Sequence, residues 1–316
     1  MKDIALILAG GGGKGAYHIG VWKALREFGI DRNISATAGT SVGALNAALF
    51  MQGDYEVAEQ VWRSITHDKL LNLSPKKVLS MLTGIGLRGF FPQAHLVRVA
   101  LNISQHGIFS REGLQKIMAD SLDKDRVAYS HMSGYAACCR LPLLKAEYFK
   151  LNDCDPRRLE SILFASSALP LIYGAEEIDG EKYIDGGLRD NLPIRPLYEE
   201  GYRQIILVHL NRETVVDRSK FPDANLIEIM PRNHQGGLFD GTLDFSPSGA
   251  ERRINEGYTD TVHIFKPIYE MGKVQQQFQS GIRHMAKSEE AFAERRMSLR
   301  GEREQLQQEM QDLMNL

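Results

Sequence analysis

One pattern occurs twice near the start of this chain and sets the strongest limit on how it can fold. In each copy a short apolar run is followed by a turn that contains glycine, and the turn leads into a helical segment. The first run is Ile4 to Ala9, followed by amphipathic spacing from Tyr17 to Phe28. The second is Ile34 to Ala38, followed by a small-residue helix to about Met51. Continuously apolar strands are buried on both faces, and strand–turn–helix repeats build parallel sheets. The sequence therefore predicts an α/β fold with a largely parallel sheet.

The remaining elements follow from the same periodicities and from helix-boundary residues. Helices are predicted at about 54–66, 111–121, 155–168 and 252–266, and strands at 134–139, 146–151, 204–210 and 226–230. Between them, the apolar segment 70–109 is interrupted by glycines. This is typical either of a mobile cap over an apolar site or of an irregular part of the core. We expect one domain at 1–270, with this candidate cap, and a C-terminal helical tail at 271–316.

The tail is polar and rich in glutamine, and Leu306, Met310 and Leu313 fall on one helical face. It is typical of a solvated or self-associating helix, which makes it a candidate contact for a homo-oligomer. A membrane-surface helix is less favoured, because its polar face would be basic rather than mixed in sign.

Composition narrows the class of protein. The chain has 316 residues, of which 43% are hydrophobic, enough for one large core or two modest ones. Its 38 Lys and Arg nearly cancel its 40 Asp and Glu, which argues against nucleic acid as a partner. Three cysteines in no disulfide or zinc spacing favour a reducing compartment. The N-terminal apolar stretch is too short for a membrane span or a signal peptide. We expect a cytoplasmic protein, soluble or peripheral to a membrane.

The second strand ends in a motif typical of a nucleophile, Gly39-Thr40-Ser41-Val42-Gly43. A serine at a sharp strand-to-helix turn adopts unusual backbone dihedrals, and flanking glycines such as Gly39 and Gly43 remove the crowding. The N-terminal amides of the following helix favour negative charge near Ser41. The motif therefore favours a nucleophile over a simple tight turn.

The first strand ends in six residues that can bind an anion, Gly10-Gly11-Gly12-Gly13-Lys14-Gly15. A dinucleotide site would need an acidic residue after the second strand, and a P-loop would need Ser or Thr after Lys14; both are missing. The third interpretation is an oxyanion hole, since both strands end at the same edge of a parallel sheet. We prefer it, and one such donor typically contributes about 3–4 kcal/mol to transition-state stabilisation.

A third motif, Tyr183-Ile184-Asp185-Gly186-Gly187, would alone indicate only a turn. Together the three motifs resemble those of the patatin-like phospholipase family over roughly residues 4–265. The matching residues are Gly10 to Val21, Gly39 to Ala44 and Asp185 to Leu188. Weaker similarities are Ala165 to Pro170, Asn191-Leu192-Pro193 and Gly241 to Phe245.

The resemblance implies a patatin-like three-layer α/β/α fold, with a parallel-centred β-sheet sandwiched by helices. It also implies a lipid acyl hydrolase. Ser41 would be the nucleophile, Asp185 its base, and the amides of Gly11, Gly12 and Gly13 the oxyanion hole. The substrate would be a lipid ester in a membrane surface or micelle, with no metal and no cofactor. Asp190 stands where many relatives carry Asn. Gly186 and Gly187 complete the motif that holds Asp185.

Other interpretations remain open at this stage. His209, His234, His263 and His284 follow Asp185, and one of them could complete a Ser-Asp-His triad of the α/β-hydrolase type. A nucleotide-binding regulatory protein and a catalytically silent lipid-binding module are the alternatives outside that class. His18 is expected to be a packing residue, Lys14 a loop or phosphate-contacting residue, and Cys138 and Cys139 buried and inert.

Overall fold

The computed structural model describes residues 3–66, 111–170 and 172–314. The candidate cap at 70–109 lies outside the described residues. The described part divides into two compact units, one ending at Ile264 and the other beginning at Phe265. The sequence-based division between residues 270 and 271 stays a prediction of domain organisation.

The first unit is built on one mixed sheet of eight strands in the order β5-β6-β3-β2-β1-β7-β8, with β4 paired to β3. Five neighbouring strands, β3, β2, β1, β7 and β8, are parallel, whereas β4 and β6 run antiparallel to β3 and β5 runs antiparallel to β6. The strands are β1 Ile4–Leu8, β2 Ile34–Thr40, β3 Ser133–Arg140, β4 Lys145–Lys150, β5 Glu176–Ile178, β6 Glu181–Asp185, β7 Gln204–Val208 and β8 Asn225–Ile229.

Eight α-helices are described. They are α1 Ala16–Glu27, α2 Val42–Gln52, α3 Tyr55–Ser64, α4 Glu112–Ser121, α5 Lys124–Ala128, α6 Pro156–Ser166, α7 Arg195–Glu199 and α8 Pro247–Met314. Local sequence explains their starts: the Asp54 and Asp155 side chains accept hydrogen bonds from first-turn amides, and Pro156 occupies the first turn. Among the described residues, no helix is both long enough and apolar enough to cross a bilayer.

The predicted α/β class is confirmed, and so are both strand–turn–helix units. The central strands are apolar because they are covered on both faces; Ala5, Ile7 and Leu207 are 0% exposed. The predicted C-terminal helical tail is also confirmed, although it is continuous with the helix predicted at 252–266 and the two form one helix to Met314. Strands β5 and β6 were not predicted. Pro267 lies inside that helix, where it removes one backbone hydrogen bond without ending the segment.

The two edges of β3 bring distant segments together. Cys138 to Arg140 pair with both β4 and β6, and Ala136 and Ala137 pair with both β2 and β4. A strand has two edges, so β2 and β6 must lie end to end along the edge opposite β4. Because β2 is parallel and β6 antiparallel to β3, their C-terminal ends face each other.

Candidate active site

Ser41 occupies the sharp turn between β2 and α2. Its backbone has φ 57° and ψ −128°, a region that non-glycine residues rarely enter. The flanking glycines permit this geometry: a Cβ on Gly39 would clash with the main chain of Gly43, and one on Gly43 with the carbonyl of Leu8. The turn is therefore packed directly against the end of β1.

Ser166, at the end of α6, holds the Ser41 backbone in place. The Ser41 N–H donates to Ser166 Oγ at 2.9 Å, and the Ser166 hydroxyl donates to the Ala137 carbonyl at 2.7 Å. Ser166 is fully buried. The strained turn is thus fixed by a hydroxyl from another element, as expected where surrounding structure must sustain an unfavourable conformation.

Asp185 is the last residue of β6 and is 3% exposed. Its carboxylate accepts a hydrogen bond from the Gly187 N–H at 2.8 Å, and the Ser41 hydroxyl acts on its pKa as a second hydrogen-bond donor. Burial raises the pKa of Asp185 from 3.8 to about 6, and these two hydrogen bonds oppose that rise. The structure therefore brings Ser41 and Asp185 together and makes the carboxylate more basic than an ordinary aspartate.

The glycine-rich turn after β1 forms a 3₁₀ helix, Gly12–Gly15. Gly11 and Gly12 lie in the wall of the cavity that contains Ser41. The first N–H groups of a helix have no acceptor within it, so they are available to an anion. Gly12 has φ 56°, and a Cβ there would clash with the Thr242 carbonyl. Gly13 is buried against the main chain of Asp244 and does not line the cavity.

The other residues of this motif differ in whether they line the cavity. Gly10 lines the cavity, while Gly15 is buried against Val42 in the first turn of α2. Lys14 is half-buried and does not line the cavity. Burial lowers the Lys14 pKa, and the nearby Arg253 adds to that effect.

A mainly apolar cavity of about 500 Å³ opens onto Ser41 and Asp185. Its apolar side chains come from several helices and loops of the first unit: Val42, Leu45, Leu49, Val61, Trp62, Ile65, Leu114, Ile117, Met118, Leu122, Leu169, Ile172, Tyr173, Leu188, Leu243 and Phe245. A mainly apolar cavity whose wall also contains Ser41 and Asp185 fits a substrate with a reactive polar group and a hydrocarbon chain.

Among the described residues, no histidine lines this cavity. His209 is buried with Nε2 3.1 Å from Glu228 Oε2, and His234 Nδ1 accepts from the Gly236 N–H. His263 and His284 are exposed. His18 is buried with Nδ1 3.0 Å from the Asn46 amide, and burial lowers its pKa to about 3. These contacts fit structural histidines.

The adjacent cysteines also lie outside the cavity wall. Cys138 and Cys139 are buried in β3 without a disulfide, and burial raises the pKa of both thiols, that of Cys139 to about 11. Within the described ranges, no group of three or more His, Cys, Asp or Glu side chains is arranged to hold a metal ion.

Two residues at the site had no role in the sequence-based interpretation. Ser166 and Asn191 belong to short motifs noted only as family similarities, and both hydrogen-bond to the turns that carry the predicted site residues. The hydrogen bonds to Ser41 and to Gly10 join residues more than a hundred positions apart, so no local sequence pattern could predict them.

Comparisons with known proteins agree with this architecture. A family model described as patatin-like phospholipase matches residues 6–198. An uncharacterised NTE family protein of Mycobacterium tuberculosis is 27% identical over 208 residues, covering 66% of this chain and 49% of that protein. Lysophospholipase NTE1 of Cryptococcus neoformans is 26% identical over 208 residues, 66% of this chain and 11% of its own length. The chain thus matches about half or less of these relatives.

A solved structure extends the comparison to the fold. VipD from Legionella pneumophila superimposes with a TM-score of 0.53 and 16% sequence identity, over 84% of this chain and 67% of that one. At this identity the likeness concerns the fold, and it matches the mostly parallel sheet flanked by helices described above.

Proposed function

The chain belongs to the patatin-like phospholipase family, and from that premise we propose that it is a serine lipid acyl hydrolase acting through a Ser41/Asp185 dyad. The observation that carries this proposal is that the strand register brings Ser41 to the buried Asp185 carboxylate in the wall of one mainly apolar cavity. The proposed substrates are carboxylic esters of membrane lipids.

In the proposed first step, Asp185 accepts the Ser41 proton while Ser41 Oγ attacks the ester carbonyl carbon. The tetrahedral oxyanion accepts hydrogen bonds from the amides of Gly11, Gly12 and Gly13, of which Gly11 and Gly12 reach the cavity wall. When the intermediate collapses, the alcohol leaves with the proton from Asp185. An acyl-serine remains.

In the second step Asp185 takes a proton from water as that water attacks the acyl carbon. The second intermediate releases the fatty acid, and Ser41 recovers its proton. A base with a pKa of about 6 is ionised at neutral pH and close to the basicity of histidine. This supports a dyad in which no imidazole takes part.

The volume and the apolar lining of the cavity support an acyl chain as the group bound beside Ser41. One relative carries the name lysophospholipase, and we propose phospholipids and lysophospholipids as the substrate class. The ester would be presented from a membrane surface or a micelle, with the protein cytoplasmic and bound to the membrane only peripherally.

Labelling with a fluorophosphonate ester tests the nucleophile and the base together. We expect the wild type to form an adduct on Ser41, Ser41→Ala to form none, and Asp185→Asn to react at least about 100-fold more slowly. Ser298→Ala, an exposed serine outside the cavity, should label like the wild type. Labelling of Ser41→Ala at the wild-type rate would end the assignment, and a wild type that never labels would favour a silent lipid-binding module.

Two further measurements separate the remaining alternatives. Replacing His209, His234, His263 and His284 singly by alanine should leave labelling within a few-fold of wild type; a thousandfold loss in one folded variant would indicate a triad instead. Nucleotides should not raise the melting temperature, whereas a nucleotide-binding protein using the glycine turn would be stabilised by them.

We also propose that the C-terminal helix pairs with a second copy of this chain. Six of its exposed apolar residues are spaced seven positions apart: Met271, Phe278, Met285, Phe292, Leu299 and Leu306. A sustained seven-residue repeat supplies one of the two apolar positions of a left-handed coiled-coil heptad. Replacing Phe278 and Phe292 by Asp should lower the mass measured by light scattering to that of a monomer. Asp at Ser280 and Ala291, on other faces of the helix, should leave the mass unchanged.

A further inference from the structure

Asn191 makes a two-way contact with the main chain of Gly10. The Gly10 N–H donates to Asn191 Oδ1 at 3.1 Å, and Asn191 Nδ2 donates to the Gly10 carbonyl at 3.2 Å. The side-chain amide therefore bonds to both polar groups of one residue, as a neighbouring strand would. The two residues are 181 positions apart in the chain.

Gly10 is the first residue after the backbone hydrogen bonds between β1 and β7 end. The hydrogen bond from Ala9 N to the Val208 carbonyl, 3.0 Å long, is the last contact with β7 before the glycine turn. Beyond it, the Asn191 amide satisfies the next N–H and C=O groups. Asn191 therefore fixes the point from which Gly11 and Gly12 extend along the cavity wall.

The other end of this contact is the turn that carries Asp185. The Asp190 N–H donates to the Gly186 carbonyl at 2.9 Å, and the Asp190 carbonyl accepts from Thr40 Oγ1 at 2.9 Å. The Asp190 carboxylate accepts from the Tyr148 hydroxyl at 2.6 Å and from the Leu192 N–H at 3.1 Å. Asn191 thus projects from a segment that is tied both to the Asp185 turn and to the residue before Ser41.

Close packing around Gly10 and Gly187 leaves little room for the Asn191 side chain to move. A Cβ on Gly10 would lie 2.5 Å from Asn191 Oδ1 and 3.1 Å from Ser41 Cβ. A Cβ on Gly187 would lie 3.0 Å from both Asn191 Oδ1 and Asp185 Oδ1. The Asn191 amide oxygen therefore lies against the main chain of Gly10 and close to Gly187, whose N–H is hydrogen-bonded to Asp185.

We propose that Asn191 is a positioning residue that locks the glycine turn to the Asp185 turn, so that the oxyanion donors and the base keep a fixed geometry around Ser41. This inference rests on the proposed hydrolase function. It assigns Asn191 no contact with the reacting atoms. Loss of the Asn191 side chain should lower kcat and the affinity for inhibitors that form tetrahedral adducts. The reason is that a displacement of catalytic groups by about 1 Å can lower the rate about 100-fold.

The test uses the full chain and a soluble 4-nitrophenyl ester. Asn191→Ala should lower kcat by roughly 10- to 100-fold with KM within a few-fold. It should weaken inhibition by an alkyl trifluoromethyl ketone, which forms a tetrahedral adduct with serine, by a similar factor. Asn191→Asp keeps the acceptor for the Gly10 N–H and loses the donor to its carbonyl, so it should lose kcat too. Its added negative charge should also move the acidic limb of the pH–rate profile upward.

Asn152 provides the matched control. Its side chain makes three backbone hydrogen bonds, to the Gly134 N–H and to the Ser130 and Met132 carbonyls, all 2.9 Å long, and it does not line the cavity. Asn152→Ala should lose stability without the selective loss of trifluoromethyl ketone binding. If Asn191→Ala keeps wild-type kcat and inhibitor affinity while Ser41→Ala is inactive, the inference fails and the hydrolase assignment stands. If the wild type itself neither turns over the ester nor binds the ketone, the proposed function fails instead.

Discussion

Thr40 and Asp185 pair with consecutive residues of one strand, Ala137 and Cys138 of β3. They approach that strand from opposite directions along the same edge. Ser41, which follows Thr40, therefore meets the Asp185 carboxylate, although the two lie far apart in the sequence. The pairing register of three strands, rather than any loop, determines this proximity.

The pH dependence of turnover should report the ionisation of Asp185. Burial raises its pKa to about 6, and only the ionised carboxylate can accept the Ser41 proton. We expect kcat/KM for a soluble ester to fall about tenfold per pH unit below about 6 and to be level from about 7 to 8. The profile should be the same in the His209→Ala variant. A limb that disappears with one histidine would contradict the dyad.

Removing the Asp185 charge should stabilise the fold at alkaline pH. The native pKa of about 6 lies above the ordinary value of 3.8, so the native state binds more protons than the unfolded state between these values. Stability is therefore lost as pH rises from about 3.8 to 6. Asp185→Asn removes this loss in the free energy of unfolding, which amounts to about 3 kcal/mol at pH 8 and vanishes near pH 3.5.

Urea denaturation of both proteins at pH 8 and pH 4 measures that difference. Asp179 supplies a control of opposite sign, because its hydrogen bond with Arg158 lowers its pKa. Asp179→Asn should not stabilise the protein at pH 8. Equal stability of wild type and Asp185→Asn at both pH values would show that the Asp185 carboxylate is solvated rather than buried.

Loss of the Ser166 hydroxyl should impair turnover through the Ser41 backbone. Ser166→Ala leaves the Ser41 N–H without its acceptor in a buried site, which should cost about 1–3 kcal/mol of stability. It should also lower kcat, because the φ of 57° at Ser41 then loses its support. Thr261→Ala, which removes another buried hydroxyl bonded to a carbonyl, should lower stability without lowering kcat in the folded protein.

The parts of the fold that local sequence could predict are those with strong periodicity. β1, β2 and their helices follow from continuous apolar runs and amphipathic spacing. β5 and β6 carry charged residues, among them Glu176, Glu177 and Glu181, so no apolar run marks them. Their place depends on antiparallel pairing with β3 and β6, which is a property of the folded chain.

The candidate site likewise contains residues that the sequence could predict and residues that it could not. Ser41, Asp185 and the glycine turn lie in compact motifs whose residue types already suggest their chemistry. The supporting contacts of Ser166 and Asn191 join elements more than a hundred residues apart, and serine or asparagine has many structural uses. Only the three-dimensional arrangement distinguishes these two from other polar residues of the chain.

Acyl-chain selectivity should follow the position of side chains along α2. Leu45 and Leu49 both line the cavity, one and two helical turns beyond Ser41, which places them about 6 and 12 Å along the helix axis. Leu45→Trp should therefore block the cavity close to the reacting ester, and Leu49→Trp should block it farther away. We expect the ester with the highest kcat/KM to be among the shortest in Leu45→Trp and of intermediate chain length in Leu49→Trp.

A series of 4-nitrophenyl esters from acetate to palmitate measures both profiles. Leu143→Trp, at an exposed position outside the cavity, is the control. Because the two variants differ only in distance from Ser41, identical profiles would mean that the chain does not run along α2.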